Sequence, residues 1–219
     1  MARLEGAVVV VGGGAVGVGR AIVDALLHDG ARVVVPVPSE AAAERFYLDA
    51  DPECVPRLRT AVGDPADPQT LGRIAAVARR EFGGIDHLVS SPAAAPAGAL
   101  AALSETDLQR ALALSVFAPA LLILGLMRHL QGAAPAKRVV VVTGAPGGAD
   151  LDAAALGRVF GDGLIARLRE SARPGVECYA LRVPSIAGDT EAGPVGAAVS
   201  RLLAEGASSA TVDLAALVP

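Results

Sequence analysis

Residues 12–19 read Gly-Gly-Gly-Ala-Val-Gly-Val-Gly, between a short valine run and a stretch with helical spacing. Glycines in that setting permit a tight turn. They also let the backbone approach a pyrophosphate at a helix N-terminus, where free N–H groups and the helix dipole favour anions. Gly13, Gly17, Val18 and Gly19 are therefore candidate dinucleotide-binding residues. Groups able to move protons are scarce. The chain has a single lysine, Lys137, and two tyrosines, Tyr47 and Tyr179. Chemistry needing a tyrosine and a lysine side by side must draw on these three.

Other reactive types do not form a pattern along the chain. His28, His87 and His129 are scattered, and each is expected to be a surface or capping residue. Cys54 and Cys178 make neither a disulfide framework nor a zinc motif. Cys178 alternates with Tyr179 in an apolar run and reads as core. Cys54 has no basic neighbour in sequence to support a thiolate. No metal site is expected.

The elements that must carry these residues follow from the apolar pattern. Short apolar runs predict parallel strands over 8–11, 32–37, 58–62, 85–90, 139–143, 176–183 and 210–214. Helical spacing predicts helices after the glycine turn and over 40–48, 67–82, 105–130, 152–172 and 194–205. This alternation implies one doubly wound α/β domain, residues 1–219, with a seven-stranded parallel sheet of Rossmann type. In that order Lys137 precedes the fifth strand. It belongs at the amino edge, whereas ligands bind at the carboxyl edge.

Composition bounds the partners. Of 219 residues, 53% are hydrophobic and 19% charged, which suits one globular domain with a sizeable core. The 19 basic and 23 acidic residues give a net charge of −4, so neither a nucleic-acid footprint nor a basic membrane-binding block is expected. The apolar stretch 112–127 is interrupted by Ser115, Pro119 and Gly125 and reads as a buried helix rather than a membrane span. The first residues lack a cleavable signal pattern. The expected setting is the cytoplasm.

Taken in order, these motifs resemble the short-chain dehydrogenase/reductase family over nearly the whole chain. The family's Thr-Gly-x-x-x-Gly-x-Gly reads Gly12-Gly13-Gly14-Ala15-Val16-Gly17-Val18-Gly19, with only the threonine replaced. Gly63-Asp64-Pro65-Ala66-Asp67 matches the aspartate loop after the third strand, which implies that Asp64 lies near an adenine. Residues 85–93, Ile-Asp-His-Leu-Val-Ser-Ser-Pro-Ala, stand where the family has Asp-x-Leu-Val-Asn-Asn-Ala-Gly, which makes Ser90 a further cofactor-side candidate.

The resemblance also implies an Asn-Ser-Tyr-Lys set. There the tyrosine is the general acid/base, the lysine lowers its pKa and holds the ribose, the serine positions the substrate oxygen and the asparagine holds a relay water. Such a set matches hydride transfer with proton transfer at one carbon–oxygen bond. Here the asparagine position falls on Ser115, the serine on Gly144, the tyrosine on Gly157 and the lysine on Gly161. No catalytic residue is assigned, and Thr143, the nearby hydroxyl, reads as a strand end. The acidic residue that ends the second strand in NAD-using members is Val37, and Ser39 reads as a helix N-cap. Val183-Pro184 stands for the family's Pro-Gly, and residues 185–193 leave little to close over a substrate.

The expectation is a catalytically degenerate family member that serves as a structural or regulatory subunit. It would form a homo-oligomer, or a hetero-oligomer with an active relative, through the helices at 108–127 and 152–172. NAD or NADP binding is expected to be weak and not required. The alternatives are an oxidoreductase with an unusual proton donor and a dinucleotide sensor without turnover.

Overall fold

All seven apolar runs form strands, and each strand is parallel to its neighbours in the order β3-β2-β1-β4-β5-β6-β7. The structure, a computed structural model, describes residues 3–64, 67–91, 103–131, 136–144, 153–171, 174–183 and 192–217. The strands are β1 (Val8–Gly12), β2 (Arg32–Val37), β3 (Leu58–Val62), β4 (His87–Ser90), β5 (Lys137–Gly144), β6 (Val176–Val183) and β7 (Thr211–Asp213). The helices are α1 (Gly17–His28), α2 (Glu40–Leu48), α3 (Pro68–Phe82), α4 (Glu105–Leu112), α5 (Ala118–Leu126), α6 (Ala153–Glu170) and α7 (Gly193–Glu205). The chain reverses its order between β1 and β4, and the crevice beyond their carboxyl ends is the switch point where such sheets bind ligands.

Alternation along each strand sends side chains to two cores. Val9, Val11, Val33, Val35, Val37, Val140 and Leu181 pack under α1, α2 and α7. Val8, Val10, Val34, Leu88, Val139, Val141 and Ala180 pack under α3, α5 and α6. Burial on both faces is why these strands read as continuous apolar runs. The helix ends also follow local chemistry. Ser39 accepts from the Ala42 N–H, as its N-cap reading requires, and Asp67 caps α3 through the Gln69 and Thr70 N–H groups. Gly83, at φ 91°, ends α3 in the left-handed conformation.

Three expectations change. The long helix is not uniform: residues Ala113–Phe117 form a π-helical segment between α4 and α5, and Met127–His129 tighten into a 3₁₀ turn. The fourth strand starts at His87, with Ile85 making only a lone bridge to Leu130. His87 is no surface residue: it is 2% exposed, and its Nδ1 accepts from the Arg138 N–H at 3.1 Å. Burial holds its pKa down to about 4.

By length and apolar composition alone, Glu105–His129 is long and apolar enough to cross a bilayer, a test that core helices of soluble proteins also pass. Here Leu122, Ile123 and Leu126 face the sheet, and Phe117, Leu121 and Leu124 are exposed.

Candidate dinucleotide site

The glycine turn closes as its sequence requires. Gly13 has φ 73°, and a Cβ there would lie 2.6 Å from the Ser91 carbonyl oxygen. A Cβ on Gly19 would overlap the carbonyl oxygen of Gly13. Gly17, at φ 54°, opens α1. The N-cap Val16 supplies no side-chain bond to the first turn of α1, and Val18 packs against the core below. The turn is thus a backbone cradle facing the switch point. Its N–H groups and helix dipole suit a pyrophosphate.

Two further candidates flank the cradle. Ser90 ends β4 in register with Gly12 and is buried. The next residue, Ser91, donates its N–H to the Gly12 carbonyl at 2.9 Å, and its buried Oγ has no hydrogen-bond partner among the described residues. Asp64 follows β3 and is exposed, and its carbonyl accepts from the Asp67 N–H at 2.9 Å. The fold therefore sets Gly13, Gly17, Val18, Gly19 and Ser90 around one turn, with Asp64 on the loop beyond β3.

The positions that should hold the ribose groups look different. Val37 ends β2 with 1% of its surface exposed and belongs to the core. Its side chain offers no hydrogen-bonding atom to a ribose hydroxyl, and its carbonyl already accepts from the Gly63 N–H at 2.8 Å. At Gly161 a Cβ would lie 2.6 Å from Thr143 Cγ2 and 3.2 Å from Val141 Cγ1. Thr143 thus fills the space where a side chain would leave α6. The cradle fits a pyrophosphate, whereas neither ribose position fits its hydroxyls.

The four positions of the proton-transfer set do come together. Ser115 lies in the π segment and faces Gly157, whose Cβ would touch Ser115 Cβ at 3.4 Å. Gly144 ends β5, one residue beyond Thr143. No acid or base stands among them. Thr143 Oγ1 is buried without a hydrogen-bond partner among the described residues. Lys137 sits at the opposite edge, 3.3 Å from Asp86, which also accepts from the Val8 N–H. Tyr179 OH donates to Glu177, and Tyr47 OH accepts from the Thr60 N–H.

The sequence reading missed one charged pair. Asp162, next to Gly161, lies 2.6 Å from Arg182 on β6. Arg182 pairs in register with Thr143 on one side and Asp213 on the other. The hydrogen bond to Asp162 favours the charged guanidinium and raises its pKa. The available signal was an acid within an apolar helix and an arginine near the end of an apolar strand. Pro65-Ala66, Pro92-Ala93, residues 145–147 and residues 184–191 lie outside the described residues.

Residues 7–155 match the family model for short chain dehydrogenase. The chain belongs to the short-chain dehydrogenase family. Members of this oxidoreductase family typically bind NAD or NADP. A protein named as an oxidoreductase, YtkK of Bacillus subtilis (strain 168), is 35% identical over 78 residues, which are 36% of this chain. The matched part spans 31% of that protein, about a third of its length.

Solved structures share the fold at lower identity. A short-chain dehydrogenase/reductase of the glucose/ribitol dehydrogenase type from Brucella melitensis superposes with TM-score 0.81, at 18% identity over 96% of each chain. A short chain dehydrogenase from Burkholderia cenocepacia J2315, in complex with NADP, has TM-score 0.76 at 23% identity, over 96% of this chain and 97% of that one.

Proposed function

We propose that this chain is a family member without carbonyl–alcohol turnover of its own, acting as a structural or regulatory subunit. The contact between Gly161 and Thr143 carries the reading. Loss of a lysine alone would leave a gap that a neighbouring base could fill. Here the strand residue has closed that gap, so α6 packs where the side chain would lie. Gly157, Gly144 and Ser115 add no general acid.

The subunit role draws on the outer helices. Phe117, Leu121 and Leu124 on the π segment and α5, and Val159 on α6, are large apolar side chains left exposed. Such a patch on two neighbouring helices favours association. The partner is a second copy or an active relative. A cytoplasmic setting is part of the proposal, and the free, buried thiols of Cys54 and Cys178 suit a reducing compartment.

The intact cradle at Gly13 and Gly19 favours one other reading, a dinucleotide-binding subunit that senses without turnover. Isolating the native complex tests both readings. Recovery of this chain with an active relative, or as an inactive homo-oligomer, supports the subunit. Turnover by the purified chain with NADH or NADPH, lost when the cradle is blocked, overturns it.

A further inference from the structure

At the sheet's amino edge, opposite the glycine cradle, the fold brings together three side chains that lie apart in sequence. His28 ends α1, while Asp51 and Cys54 lie in the connection from α2 to β3. Their ligand atoms all lie within 4.8 Å of one another. We propose that His28, Asp51 and Cys54 form a binding site for a thiophilic divalent cation of the Zn²⁺ type.

The orientation of each group supports a cation rather than a chance meeting. His28 Nδ1 is 2.8 Å from the Asp24 carbonyl oxygen. A carbonyl only accepts, so Nδ1 carries a proton and Nε2 is the nitrogen left to face outward. That nitrogen is 3.5 Å from Asp51 Oδ2. A single cation between them would engage both atoms. A backbone acceptor on the far nitrogen is also the usual way a metal-binding histidine is held.

Asp51 is set in the same manner. Its Oδ1 accepts from the Glu53 N–H at 3.0 Å, which leaves Oδ2 toward His28. Its carbonyl accepts from the Cys54 N–H at 2.9 Å, so one turn carries both ligands. Arg57 Nη2 bonds the Leu27 carbonyl at 2.9 Å and lies 3.8 Å from Cys54 Sγ, tying this turn to α1. This arginine is the basic neighbour that sequence reading did not give Cys54.

The donor set selects the ion. Imidazole, carboxylate and thiolate suit Zn²⁺ or Co²⁺, whereas Ca²⁺ and Mg²⁺ take oxygen ligands. Bond lengths of about 2.0–2.3 Å place tetrahedral ligand atoms roughly 3.3–3.7 Å apart. The histidine–aspartate spacing of 3.5 Å already meets this, and since all three ligand atoms lie within 4.8 Å of one another, the sulfur need close by no more than about 1 Å. His28 and Asp51 are exposed, so water takes the fourth position. Cys54 is a free, buried thiol. Binding forms the metal–sulfur bond and releases the thiol proton to solvent. The ion would then clip the end of α1 to the α2–β3 connection.

The test is titration of the metal-free chain with Co²⁺ followed by absorbance, and with Zn²⁺ followed by calorimetry and thermal melting. The expected result is one ion per chain, a thiolate-to-cobalt charge-transfer band in the near ultraviolet and a raised Tm. Binding should tighten as pH rises. Cys54→Ser should abolish the band, Cys178→Ala should leave it unchanged, and His28→Gln should weaken binding about tenfold or more. His28 is exposed, so His28→Gln decides the matter even if the cysteine variant fails to fold. No saturable binding, or wild-type affinity in His28→Gln, overturns the site.

Discussion

Thr143 Cγ2 occupies the place that the Cβ of any residue other than glycine would need at position 161. Threonine is stiff about χ1, so it cannot swing aside as a long side chain would. Gly161→Ala should therefore destabilise the chain by about 1–2 kcal/mol, the overpacking cost outweighing the gain in helix propensity. Thr143→Ser removes the blocking methyl group and should restore most of the loss. Urea denaturation of the single and double variants measures this. A Gly161→Ala variant as stable as wild type would show that α6 is free to move outward.

The other two glycines of α6 should behave differently. A Cβ at Gly163 meets nothing within 4 Å, and at Gly157 it reaches ordinary contact with Ser115. Gly163→Ala should stabilise by about 1 kcal/mol. Gly157→Ala should be neutral or stabilising. Thermal melts of both variants check the signs.

Catalysis and cofactor affinity are separable. The purified chain should not reduce ketones or 3-oxoacyl thioesters with NADH or NADPH, because no acid or base stands at Ser115, Gly144, Gly157 or Gly161. Calorimetry with both dinucleotides should give a Kd weaker than about 1 µM, a binding free energy less favourable than about −8 kcal/mol. Gly19→Ala should remove whatever binding exists, since its Cβ would collide with the turn. Tighter binding without turnover would select the sensor reading.

Association should depend on the exposed apolar side chains. Leu121→Asp, or Phe117→Asp, should dissociate the assembly in sedimentation experiments, since both side chains are exposed in the single chain. A stable interface buries roughly 1,200–2,000 Å² in total. A wild-type monomer at micromolar concentration, with no partner recovered from the source cell, would leave only a lone binding domain.

His87 gives a signed dependence on pH. Burial lowers its folded pKa to about 4 from the ordinary 6.5. Between those values the unfolded chain binds a proton that the folded chain refuses. Stability is therefore intact above pH 6.5 and falls as pH drops toward 4, by up to about 3 kcal/mol. Denaturation midpoints across this range should show the decline, and His87→Gln should flatten it. An unchanged slope in that variant would assign the decline to other groups.

Local pattern determined the sheet, the glycine turn and the family, because strand burial and turn conformation depend on residues a few positions apart. Val8–Gly12 had to be a strand buried on both faces, and Gly13 and Gly19 had to stay small whatever the rest of the chain did. The same pattern put Lys137 at the edge away from the cradle, where it meets Asp86. What no spacing along the chain could show are meetings between elements. His87 reads as a polar strand entry, yet the pairing of β4 with β1 and β5 puts it in the interior. His28 and Cys54 are neighbours only because α1 and α2 both return to the amino edge. Asp162 finds Arg182, and Thr143 fills the space over Gly161, only where α6 lies down on β5 and β6. Close packing set those distances, and packing is a property of surfaces that form only after the chain has folded.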